Sequence, residues 1–104
     1  MATPSELKSA FLKLASYCAY QERSLLEIEQ KLSEYHFSEE EEAKLIERLE
    51  EENFFNQTRF AETFAQSKFR QQHWGRNKIR HALKQKGVAG DLAQRALNSI
   101  DPED

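Results

Sequence analysis

The sequence holds one cysteine, two prolines and three glycines in 104 residues. Cys18 has no second cysteine to pair with, which excludes a disulfide-stapled fold and makes a reducing, cytoplasmic setting the expectation. The glycines and prolines fall at positions 4, 75, 87, 90 and 102 and leave long stretches without a breaker. β-Branched residues are also sparse, and the two shortages together exclude sandwiches and α/β folds in favour of an all-α chain. No apolar run approaches the ~20 residues of a membrane span, and no charged-then-apolar leader opens the chain.

The patterns of covalent chemistry are missing too. His36, His73 and His81 are scattered and Cys18 has no ligand near it, so metal-ligand spacing is absent. There is no glycine-rich phosphate loop, serine elbow or zincin pattern. The run Glu39–Glu42 lacks the alternating ligands and central glycine of a calcium loop, and suits the positive end of a helix instead. Cys18 shares an apolar register with Leu14, as a core residue does. The expectation is a non-enzymatic protein without cofactor, metal or small-molecule substrate.

What is present is charge, and it is segregated. Residues 22–52 hold twelve Glu against Arg23, Lys31, Lys44 and Arg48, a net of −8. Residues 68–86 hold Lys68, Arg70, Arg76, Lys78, Arg80, Lys84 and Lys86 and no acid, a net of +7, inside a chain of formal charge −3. On a helix through 76–86, Ile79, Ala82 and Leu83 share a face fit for burial, while Arg76, Arg80 and Lys84 follow at i, i+4 and i+8 as a ridge beside it. Phosphates or a partner protein's carboxylates would neutralise that ridge, as would the chain's own glutamates. Trp74 beside Gly75 can stack on a base or pack at a helix corner.

The chain also repeats itself. A shift of 51 residues pairs Ala10 with Ala61, Leu14 with Ala65, Ile28 with Ile79, Leu32 with Leu83 and Leu49 with Ile100, without a gap. Apolar positions recur while the surface between them changes. Each copy reads as three helices, giving modules at 1–53 (acidic) and 54–104 (basic). Thr3-Pro4-Ser5-Glu6, Ser24-Leu25-Leu26-Glu27 and Ser38-Glu39-Glu40-Glu41 carry the grammar of helix starts. Asn56 is the expected cap of a fourth helix reaching about Gln71. Gly75 stands where the first copy has Ser24, and Gly87 ends the fifth helix as a left-handed residue. Phe54 and Phe55 are expected to join the modules. Asp101-Pro102-Glu103-Asp104 reads as a further helix start, which predicts a third module beyond residue 104.

The stretches "LIERLEEENFFNQTRFAETFAQSKF" (45–69) and "WGRNKIRHALKQKGV" (74–88) resemble the RecX family of bacterial regulators of the RecA recombinase. The residues that carry the likeness are Leu49, Glu50, Phe54, Phe55, Asn56, Arg59, Phe60, Ala61 and Glu62, then Gly75, Arg76, Ile79, Leu83, Lys86, Gly87 and Val88. Arg23, Ser24, Glu27, Leu32 and Phe37 match the family's opening module. Asn53 departs from the family's usual glycine, and Ala89-Gly90 from its acidic helix start. The resemblance implies tandem three-helix modules, commonly three, in an elongated array, and a protein that modulates or inhibits RecA by lying along the RecA–DNA filament. It implies a role in DNA repair, recombination and the SOS response. Under that implication Arg76, Arg80 and Lys84 would meet the recombinase or its single- or double-stranded DNA, supported by Lys78, Lys68, Arg70 and Lys86. The competing readings are a direct DNA-binding module of helix-turn-helix type and a helical adaptor for another protein.

Overall fold

The structure, a computed structural model, describes residues 2–100. Its elements are α1 (Pro4–Tyr20), α2 (Leu25–Leu32), α3 (Glu39–Glu51), α4 (Gln57–Gln72), α5 (Arg76–Gln85) and α6 (Gly90–Asn98), with no strand among the described residues. The chain divides into two compact units after Asn56. Moving α2 and α3 along by 51 residues sets their first residues on Arg76 and Gly90, where α5 and α6 begin.

The helix starts follow from local chemistry. Thr3 Oγ1 accepts from the Glu6 N–H at 3.1 Å, with Pro4 filling the first helical position, where no N–H is needed. Ser24 and Ser38 form reciprocal capping boxes with Glu27 and Glu41. All four residues of Glu39–Glu42 lie in the first turn of α3, against the positive end of its dipole. The second unit has none of these side-chain acceptors at the matching positions, because Gly75 and Ala89 occupy them. The alanine at the start of α6 removes about 1 kcal/mol of local support and the glycine at the start of α5 about a few tenths, so α6 above all depends more heavily on tertiary contacts.

Each unit encloses its own core. In the first, Ala10, Leu14, Ile28, Leu32 and Leu49 are buried with Cys18 at the margin. In the second, Ala61, Ala65, Ile79, Leu83 and Ile100 stand at the matching places. Burying an Ile or Leu contributes about 1.5–3 kcal/mol, which is why these positions are repeated while the exterior is not.

Three chain reversals use the left-handed region: Asn53 at φ 63°, His73 at φ 59° and Gly87 at φ 81°. After each, an amide folds back on the helix: Phe54 N–H to the Leu49 carbonyl at 2.9 Å, Trp74 N–H to that of Lys68 at 3.0 Å, and Val88 N–H to that of Leu83 at 3.0 Å. The turn at Asn53 sets the places of Phe54 and Phe55. Both amides bond to the Leu49 carbonyl, which returns the two rings to the first unit's core. Phe54 meets Phe11 edge-on at 6.1 Å. The helix start expected at Asp101 lies outside the described residues.

Candidate anion-binding surface

α5 supplies the frame of the basic surface. Ile79 and Leu83 are wholly buried beneath it and Ala82 is half-buried, so Asn77, His81 and Gln85 face away from the core. Arg80 and Lys84 are exposed on one side of that outward line and Lys78 on the other, as about 100° per residue requires.

The structure splits the expected ridge. Arg76 is half-buried and reaches the end of α6, where its two terminal nitrogens donate to the carbonyls of Leu97 at 2.8 Å and Ile100 at 3.2 Å. The Leu97 carbonyl lies in the last turn of α6, at its negative pole, and that of Ile100 just beyond the helix end. Arg76 is therefore a cap for α6 as well as the first residue of α5. Arg80 instead makes a surface network of neutral groups. It donates to Asn77 Oδ1 at 3.1 Å and to Gln94 Oε1 at 3.3 Å, and the Gln94 amide donates in turn to Asn98 Oδ1 at 3.0 Å. Arg80 and Lys84 border a hollow of about 380 Å³ whose other walls are Val88, Gly90 and Ala93.

On the opposite flank the Lys78 ammonium lies 4.4 Å and that of Lys68 4.9 Å from the Trp74 ring centre. Trp74 also meets Phe64 edge-on and packs on the second core, so it is a corner residue that holds two cations by their attraction to its ring. Arg70 is exposed in the last turn of α4, and Lys86 is the half-buried C-cap of α5. Among the family-motif residues, Phe60 and Ala61 are buried with Ile79 and Leu83, Arg59 and Glu62 are half-buried, Gly75 caps α5 and Gly87 turns the chain. They build the unit that carries the cations.

Among the described residues none of the seven cations makes an ion pair. Two ion pairs of the first unit are Lys31–Glu34 at 3.3 Å and Arg48–Glu52 at 2.7 Å. Only Glu62 and Asp91 are acidic between residues 57 and 100. Sequence reasoning missed Asn77, His81 and Gln85, although their spacing of four was there to be read beside the arginines.

Residues 56–97 match the family described as "RecX, second three-helix domain". The chain is 36% identical over 97 residues to the regulatory protein RecX of Prosthecochloris aestuarii, covering 93% of this chain and 64% of that one. The chain belongs to the RecX family. A second RecX relative, from Lactobacillus johnsonii, is 39% identical over 101 residues, which are 96% of this chain but 37% of the relative. The chain thus spans less than two thirds of these curated RecX proteins. A solved RecX crystal structure superimposes with a TM-score of 0.82 at 21% identity, over 99% of this chain and 56% of the other, and shows the same all-α repeat fold. The relatives are named regulatory proteins.

Proposed function

We propose that this RecX-family chain is a non-enzymatic, cytoplasmic regulator that binds the RecA–DNA filament and inhibits or modulates the recombinase. The observation that carries the reading is the second unit's uncompensated charge: Lys68, Arg70, Arg76, Lys78, Arg80, Lys84 and Lys86, with no carboxylate against them among the described residues. Dense like charge disfavours the isolated protein and favours an anionic partner, which would also speed encounter. The family name supports regulation, and tandem units allow weak contacts to add through effective concentration. RecA belongs to the proposal through the family resemblance.

Lys78, Arg80 and Lys84 carry the interaction in this reading, with Lys68, Arg70 and Lys86 in support. Arg76 acts by holding α5 and α6 together. The test is the DNA-dependent ATPase of RecA with increasing amounts of this chain. A Lys78→Ala/Arg80→Ala/Lys84→Ala variant that melts like its parent is expected to lose at least tenfold in inhibitory potency, about 1.4 kcal/mol. Unchanged potency would remove the basic surface from the mechanism.

A further inference from the structure

We infer that the outer face of α5 is a reading surface for the major groove of double-stranded DNA. The inference deepens the proposal above, because it names what receives this surface. Three observations carry it.

The first is the chemistry of the outward line. Asn77, His81 and Gln85 follow one another at i, i+4 and i+8 and all are exposed. Each can both donate and accept hydrogen bonds, as base edges require, whereas a surface meant for carboxylates alone would gain nothing from amide acceptors. All three have a neighbour: Asn77 Oδ1 accepts from Arg80, and Gln85 Nε2 lies 3.3 Å from His81 Nε2.

The second is the bracket of charge. Arg80 and Lys84 stand on the α6 side of the line, while Lys78 and Lys68 gather over Trp74 on the α4 side. A helix is about 10–12 Å across with its side chains, and the major groove is about 12 Å wide between phosphate strands. Cations on both flanks of a neutral polar line therefore meet both strands when the line enters the groove. From Asn77 to Gln85 the rise is about 12 Å, or three to four base pairs at about 3.4 Å each. The groove of duplex RNA is too narrow for such an entry.

The third is the internal control of the repeat. The first unit carries Leu26, Gln30 and Glu34 at the positions of Asn77, His81 and Gln85, and Glu27, Glu29 and Ser33 at those of Lys78, Arg80 and Lys84. The same scaffold with that surface repels phosphate. The second copy alone is suited to DNA.

The experiment uses the chain by itself, without recombinase. Anisotropy of a short labelled DNA duplex is followed across a potassium chloride series, beside an RNA duplex of the same sequence and with poly-glutamate as competitor. Binding is expected for the DNA duplex, with a slope of log K against log salt near −2.7 for three phosphate contacts. Lys78→Gln/Lys84→Gln keeps the helix and lowers that slope by about 1.8 for every sequence. Asn77→Ala/Gln85→Ala keeps the slope and erases a preference of about 5- to 150-fold among duplexes that differ at the base pairs read. Both variants replace exposed residues and are expected to melt with the parent, as followed by circular dichroism.

No binding at low salt, equal binding of the RNA duplex, displacement by poly-glutamate at equal charge, or a preference untouched by Asn77→Ala/Gln85→Ala would each overturn the inference. Absent DNA binding with intact inhibition of RecA would sink this inference and spare the regulatory proposal. DNA binding without any effect on RecA would do the reverse.

Discussion

Arg76 offers the sharpest test of how the second unit is held together. Its guanidinium starts on α5 and ends on the Leu97 and Ile100 carbonyls, 21 and 24 residues away. Hydrogen bonds from a charged donor contribute about 1.5–3 kcal/mol each when desolvated. Arg76 is half-buried, and the Leu97 carbonyl also accepts from the Ile100 N–H at 3.2 Å. Water and that second donor recover part of the loss, which leaves about 2 kcal/mol for Arg76→Ala, including the favourable placement of a cation at a helix C-terminus. With a urea slope of about 1 kcal/mol per molar for a small unit, the midpoint falls by about 2 M. The thermal midpoint falls by about 8–16 °C. Equilibrium unfolding by circular dichroism reads both. Arg76→Lys keeps the charge but not the fork and is expected to recover less than half of the loss. A midpoint unchanged by Arg76→Ala, or full recovery by lysine, would refute the bridging role and return Arg76 to the binding ridge.

Two further outcomes follow from the turns and caps. Glu41 accepts from the Ser38 N–H at 2.9 Å and from the Ala2 N–H at 3.1 Å. The Ser38 bond foremost holds its carboxyl below the ordinary glutamate value, against a smaller opposing effect of desolvation. A depressed folded value means that the stability it adds is complete above the unfolded value and lost as pH falls through the folded one. Glu41→Gln is therefore expected to flatten the acid side of a stability–pH profile and to leave the alkaline side unchanged. His73 sits at φ 59°, where a side chain other than Asn or Asp is strained by about 1–2 kcal/mol. His73→Gly is expected to raise stability by up to about 1 kcal/mol after glycine's greater unfolded-state freedom is deducted, as measured by the urea midpoint.

The helices, their starts and the two interiors were legible because each depends on neighbours in sequence. Ser24 and Glu27 are three residues apart, and Ile79 and Leu83 four, so the periodicity of a single helix places them. The 51-residue echo of Ala10 at Ala61 and of Ile28 at Ile79 then assigned the same interior to both copies. That Phe54 and Phe55 pack on the first core was not legible, because the left-handed turn at Asn53, which returns them there, leaves only a faint mark when asparagine replaces glycine.

Sequence alone settled that the chain is helical, that it repeats, and that the second copy is cationic. Which cations remain available to a partner was decided by the tertiary structure. Arg76, Arg80 and Lys84 look alike at a spacing of four, yet Arg76 turns inward because the carbonyls of Leu97 and Ile100, at the C-terminal end of α6, come within reach of its side chain. The helix end that attracts it is brought there by packing around Ile79, Leu83 and Leu97. No local pattern encodes that meeting, since the groups that make it are separated by more than twenty residues and share only a position in space.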